Sequence, residues 1–254
     1  MTDHDLQLAQ GFDGQASKFE RAPVQSDPTA IARLVRSAGF TPGGRVLDAG
    51  CGPGLVSSGL LDAGLHVVGV DLSIEMVVRA RKRCAEHGDR ATFIQGSVYD
   101  QALNRLAPFD GALSRFVLHH VIDPHAFLAR QIALVKRGGA IVVCDHTTDP
   151  DPAIAAHHGS LELARDRTHT RNLTGGELVD LFARAGLEEI WFGEDSFVLD
   201  FDEWFDRGTP ADTKESVRTK LLAGPAIRSF RPSMQDDGSI RIDCIRSTVR
   251  AVKP

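Results

Sequence analysis

The chain has 254 residues, 42% of them hydrophobic and 25% charged, which is enough for a core of full domain size. A net charge of −5 without any dense Lys/Arg run argues against a nucleic-acid partner. The four cysteines (Cys51, Cys84, Cys144, Cys244) are too scattered for a disulfide framework or a zinc knuckle. Their isolation suggests reduced thiols and a cytoplasmic location, while an acidic N-terminus and the lack of a long apolar run speak against a signal peptide or a membrane span.

Residues 1–22 carry Phe12, Ala16 and Phe19 at near-helical spacing, so a short amphipathic helix is expected. Asp27-Pro28 reads as an N-cap with proline at the first helical position, and Gly39 ends that helix. Arg45–Ala49 is a short apolar strand. It runs into Gly50-Cys51-Gly52-Pro53-Gly54 and then a helix to about Ala63. Alternate glycines remove Cβ atoms between backbone and ligand, and the helix start supplies unpaired N–H groups. Asp48 adds a carboxylate at the strand end. The turn has glycines at 50, 52 and 54 and Leu55 where the dinucleotide fingerprint G-x-G-x-x-G has its third glycine.

The stretch Val46-Leu47-Asp48-Ala49-Gly50-Cys51-Gly52-Pro53-Gly54 resembles motif I of the class I S-adenosylmethionine (SAM)-dependent methyltransferases. That resemblance implies a Rossmann-like α/β fold, a three-layer sandwich whose seven-stranded, mostly parallel sheet ends in one antiparallel strand. It also implies SAM as cofactor and S-adenosylhomocysteine as its product. Asp48, Ala49, Gly50, Cys51, Gly52 and Gly54 would hold the methionine part. The N-terminal segment would form a lid, with Phe12, Lys18 and Phe19 as its contacts.

The second strand, His66–Val70, ends in Asp71, whose carboxylate can accept both hydroxyls of a ribose. Leu72 and Met76 would flank an adenine. The next helix, from Ser73 to about Glu86, carries Arg79, Arg81, Lys82 and Arg83, read as a solvated face. After the third strand (Ala91–Gln95) comes Gly96-Ser97-Val98, a further part of the adenine site. The family usually has an acid where this chain has Ser97.

The fourth strand, Phe109–Ser114, leads to Arg115-Phe116-Val117-Leu118-His119-His120-Val121. The (N/D)-PP-(Y/F) motif of base- and glutamine-modifying members is missing. Phe116–Val121 with Asp123-Pro124 instead resembles the LHHV.DP run of the ubiquinone/menaquinone-biosynthesis group. Adjacent histidines point to different faces, so His119-His120 is poor geometry for one metal ion, and no metal is expected. His120 is a candidate for the cofactor's methionine end, and Arg115 a candidate cofactor contact that could also stabilise an acceptor carboxylate or oxyanion. Asp123-Pro124 caps a helix to Lys136. The fifth strand, Ala140–Cys144, delivers Asp145-His146, and His146 can serve as a general base.

Residues 149–172 read as an insertion with a helix at 154–165, followed by His169 and Arg171 as acceptor contacts. Thr174 and Glu177 form a capping box for a helix ending at Gly186. A sixth strand (Leu187–Phe192) precedes residues 194–238, where Phe197, Phe201, Trp204 and Phe205 suggest an aromatic cap, with Phe201 and Trp204 facing the acceptor. Ser239–Val252 alternates as an edge or half-exposed strand would.

The expected domain is one unit: residues 1–40 a lid, 41–193 and 239–254 the core, 149–172 and 194–238 the cap. The expected reaction is methyl transfer from SAM to a small molecule, with His146, His120 and Arg115 as catalytic candidates. An NAD-dependent oxidoreductase and a non-catalytic SAM-binding protein are the alternatives. Nothing in the sequence separates a monomer from a homodimer.

Overall fold

The computed structural model describes residues 2–254. One mixed sheet organises it. Strands β1 (Arg45–Ala49), β2 (His66–Asp71), β3 (Ala91–Gln95), β4 (Phe109–Arg115), β5 (Val135–Thr148), β7 (Glu188–Asp200) and β9 (Ile240–Val252) lie in the order β3-β2-β1-β4-β5-β9-β7. The first five pair in parallel; β9 runs antiparallel to both β5 and β7. Two short strands branch off: β6 (Leu173–Thr174) on β5 and β8 (Phe230–Met234) on β9. The order reverses between β1 and β4, the place where open α/β sheets bind ligands at their carboxyl ends.

Helices cover both faces. Helices α3 (Pro28–Ala38), α4 (Leu55–Asp62) and α5 (Ile74–Arg83) pack one face through Leu34, Leu60, Leu61, Val77 and Ala80. Helices α6 (Pro124–Leu134) and α8 (Gly175–Arg184) cover the other through Phe127, Leu128, Leu181 and Phe182. The expected caps are present. Asp27 accepts from the N–H of Thr29, Asp123 from that of Ala126, and Thr174 and Glu177 form a reciprocal capping box.

The first helix, α1 (Asp3–Arg21), lies across the carboxyl ends of the strands and docks on α5. Its anchors correct the solvated-face reading. Arg79 and Arg83 both pair with Glu20 at 2.6 Å, and Asp13 accepts from the Ser73 hydroxyl at 2.5 Å. Helix α2 (Pro23–Ser26) joins α1 to α3.

The C-terminal third departs most from expectation. β7 does not stop at Phe192 but continues to Asp200, and β8 adds to β9, so the 194–238 region is partly sheet. β9 is not an edge strand: it sits between β5 and β7, and its exposed positions are confined to Arg241 and Asp243. Helices α7 (Pro152–Arg165), α9 (Phe201–Asp206) and α10 (Lys214–Ala223) close a third apolar cluster over this extension, built on Leu161, Trp204, Val217, Phe230 and Ile242.

Candidate active site

The glycine turn is left-handed throughout: φ is +79° at Gly50, +52° at Gly52 and +77° at Gly54. Side chains rarely adopt such angles. A Cβ on Gly50 would meet Val117 Cγ2 at 2.5 Å, whereas one on Gly52 would project into open space. The turn therefore packs on the β4 side and opens on the other. Two carboxylates fix it. Asp71 accepts the N–H of Gly52 at 2.8 Å and of Ser73 at 2.9 Å; Asp48 accepts the Ser57 hydroxyl at 2.5 Å. Burial pushes both up to about 6, against the hydrogen bonds that pull them down. Both remain mostly ionised at neutral pH.

These groups face a cavity of about 370 Å³. Its floor is Gly50–Pro53, Asp48 and Asp71; Leu72, Met76, Gly96, Ser97 and Val98 form one wall, and Arg115, Phe116 and His120 the other. Leu8, Phe12 and Phe19 of α1 close it from above, and His4 reaches the His120 carbonyl at 2.7 Å. Of the positions predicted for the cofactor, Ala49 and Gly54 do not line the cavity: Ala49 is fully buried in the sheet, and Gly54 has α5 against it, with Ala80 Cα 2.9 Å from where a Cβ would be. Lys18 points away and donates to the Asp206 carbonyl at 2.9 Å. Where the family places an acid, Ser97 donates its backbone N–H to Asp100 at 2.9 Å, so a carboxylate stands beside the position after all.

Arg115 is 9% exposed. Its guanidinium donates to the carbonyls of Val24 (2.8 Å) and Gln25 (3.0 Å), and burial lowers its pKa to about 10, so it stays charged. It ties α2 to the sheet. Phe116 follows with φ of +57°, an outlier for an aromatic residue, its N–H bonded to the Cys144 carbonyl. No sequence signal marked it.

Behind Phe116 and His120 lies a smaller polar chamber. Phe19, Gln25, Phe116 and His120 line both spaces; His119, His146, Glu162 and Arg165 line only the second. The His146 ring is enclosed by Phe116 and Phe197, at 4.6 and 4.8 Å between centroids, and burial lowers it to about 3. His120 spends Nδ1 on the Thr168 carbonyl at 3.0 Å and is lowered to about 3, first by burial and then by the neighbouring His119. His169 is buried, its ring 5.6 Å from that of His119 and without a ring hydrogen-bond partner among the described residues. The sequence had left His119 without a role. Its Nδ1 lies 2.6 Å from Asp145.

Three predicted acceptor residues fall elsewhere or serve packing. Arg171 is exposed, paired with Glu177 at 2.8 Å, and lines a separate surface cleft bordered by Val121 and Arg184. Phe201 is interior to the third apolar cluster and Trp204 packs there too, though Trp204 also reaches the chamber wall. Among the described residues no group of three or more His, Cys, Asp or Glu side chains is placed to hold a metal ion, and no helix is long and apolar enough to cross a membrane.

A family model described as a methyltransferase domain matches residues 24–190. The chain is 30% identical over 152 residues to the demethylmenaquinone methyltransferase of Clavibacter sepedonicus, which covers 58% of this chain and 61% of the relative. It is 29% identical over 143 residues to the ubiquinone biosynthesis O-methyltransferase of Cronobacter sakazakii, covering 54% and 59%. The chain thus spans about three-fifths of the length of these curated relatives. The crystal structure of YcgJ from Bacillus subtilis superposes with a TM-score of 0.77 at 23% identity, over 89% of this chain and 98% of that one, a likeness of fold.

Proposed function

Because the chain belongs to the methyltransferase-domain family, we propose that it transfers a methyl group from SAM to a small-molecule acceptor in a biosynthetic reaction. The observation that carries this reading is the glycine turn locked by Asp71, with Asp48 beside it, at the floor of a mostly apolar cavity. The residues present fit SAM. Gly52 leaves room for backbone approach, Asp71 keeps carboxylate lone pairs free for ribose hydroxyls, and Leu72 and Met76 offer apolar walls to a base. When bound, SAM supplies an electrophilic methyl group on a sulfonium centre. The chain's own share is to hold both partners in line, exclude water beneath α1, and handle the acceptor's proton.

The names of the two quinone-pathway relatives favour a partly apolar acceptor, and the aromatic wall of Phe12, Phe19 and Phe116 fits one. Leu55 stands where a dinucleotide site has its third glycine, so NAD is not favoured. In the same reading α1 and α2 are the lid, and α7, α9 and α10 the cap of one catalytic unit. The test is incubation with methyl-tritiated SAM and a metabolite library containing aromatic and enolic acceptors, with peptides and nucleic acids alongside. Label in small molecules supports the proposal. Label confined to peptides or nucleic acid overturns it.

A further inference from the structure

Two arginines line the chamber behind Phe116: Arg165 at the end of α7 and Arg207 just after α9. They are 8% and 4% exposed. Arg165 is well supplied. Its Nε donates to the Trp204 carbonyl at 2.8 Å, and its Nη1 faces Asp166 at 3.4 Å and Glu162 at 3.7 Å. Arg207 is not. Its Nε donates to the Glu203 carbonyl at 3.3 Å, and neither terminal nitrogen has a hydrogen-bond partner among the described residues. The one acid paired with it among those residues is Glu203, 3.8 Å away, 34% exposed and outside the chamber wall. Asp166 lines the chamber but spends its oxygens on Thr168, Thr209 and Arg165.

A buried guanidinium without a buried counter-charge is costly. Burial lowers Arg207 to about 10, with the like charge of Arg165 adding to it, so it is still a cation at neutral pH. Its plane is held by Phe19, whose ring centre lies 5.9 Å from the guanidinium carbon, and Trp204 holds that of Arg165 at 5.4 Å. Gln25 lines both the chamber and the larger cavity, and its side-chain amide makes no hydrogen bond among the described residues. Arg115, the sequence's candidate for an acceptor carboxylate, spends its terminal nitrogens on the Val24 and Gln25 carbonyls. The chamber measures about 30 Å³, room for about two waters. That suits the pair of oxygens of a carboxylate and is too little for a ring.

We propose that Arg207, with Gln25 and the outer nitrogen of Arg165, forms a carboxylate site, and that the methyl acceptor is a small carboxylic acid anchored there by its anion. This rests on the methyl-transfer reading above. The guanidinium fork meets a carboxylate with two parallel N–H donors, a match that an ammonium cannot make. The rest of the molecule, too large for the chamber, belongs in the larger cavity, against Phe19, Phe116 and His120, which the two spaces share. The carboxylate is the handle and not the atom methylated, because the glycine turn and Asp71 line the larger cavity and not the chamber.

Formate tests the site apart from the shape of any acceptor, being little more than the carboxylate itself. Guanidinium ¹H–¹⁵N NMR of the full chain, with and without S-adenosylhomocysteine, should show the Arg207 and Arg165 signals shifting saturably with formate and not with formamide. In Arg207→Lys, which keeps the charge and loses the fork, half-saturation of the Arg165 signal should move up about tenfold. Signals that stay in place, or that formate and formamide move alike, overturn the proposal. A second arm offers labelled SAM with benzoate, 4-hydroxybenzoate and cinnamate derivatives beside their primary amides. The acids should take the label, and Arg207→Gln should raise their KM about tenfold to a hundredfold with kcat little changed. Label confined to the amides, or a KM that Arg207→Gln leaves in place, also overturns it. A wild-type chain that answers formate but does not bind S-adenosylhomocysteine keeps the anion site and loses the methyl-transfer reading.

Discussion

Replacing Arg115 by alanine should untie α2 from the sheet. The guanidinium spans from the end of β4 to α2 and donates to the carbonyls of Val24 and Gln25 at 2.8 and 3.0 Å. Hydrogen bonds to a charged group contribute about 1.5–3 kcal/mol each. Taking the lower figure, the pair holds α2 by about 3 kcal/mol, which at about 1.4 kcal/mol per tenfold is a hundredfold change in local opening. The amides that report it are those of Gln25, Ser26 and Asp27, bonded to the carbonyls of Ala22 and Pro23. Hydrogen exchange at these amides should be about a hundredfold faster in Arg115→Ala. Arg115→Lys should fall between, since an ammonium lacks the fork that reaches two carbonyls at once. Amides of β1 and β2 should be unaffected. Unchanged exchange at 25–27, or equal acceleration across the sheet, would contradict this and leave Arg115 as a core cation with no hold on α2.

Other expectations follow from the same geometry. Asp71→Ala removes the acceptor for two backbone N–H groups and the proposed ribose anchor, so S-adenosylhomocysteine affinity by calorimetry should fall about 100-fold or more; an unchanged affinity would sink that role. Gly50→Ala forces a side chain to φ +79° and 2.5 Å from Val117, at about 1–2 kcal/mol for the left-handed backbone and about 1–3 for overpacking, a Tm lower by about 4–20 °C. Gly52→Ala, whose Cβ meets nothing, should unfold closer to wild type yet bind the ligand poorly. Asp48 and Asp71 protonate near 6, so affinity should weaken from pH 7.5 to pH 5. The His119–Asp145 pair has the opposite stability window. Asp145 is lowered, so its contribution is present above its ordinary range; His119 is raised, so its contribution is lost as pH climbs past its folded value. Asp145→Asn should therefore cost most between about pH 4 and 6.5 and less at pH 9, which melting curves at the two ends will show.

Local signals were the readable part of the sequence. Asp27-Pro28, Asp123-Pro124 and Thr174–Glu177 are caps whose partners lie within three residues, and the glycine turn is contiguous. What was hidden depends on distant pairing. The basic face of α5 looked solvated because Glu20, its partner, lies 59 residues from Arg79. β9 looked like an edge or half-exposed strand because Arg241, Asp243 and Arg246 alternate with apolar residues, yet only Arg241 and Asp243 are exposed, Arg246 is buried against Asp195, and the strand is sandwiched between β5 and β7. The pairing of His119 with Asp145 crosses 26 residues and two strand ends. Phe201 and Trp204 were legible as aromatic, but an aromatic residue facing a ligand and one facing a core have the same sequence. Arg171 was placed by motif, and its partner Glu177 drew it to the surface.

The most direct measurement is calorimetric titration of the purified chain with S-adenosylhomocysteine, with NAD as the control. The account predicts tight binding of the first, weakened by Asp71→Ala, and no heat from the second. Binding of NAD in its place, or of neither, would contradict it.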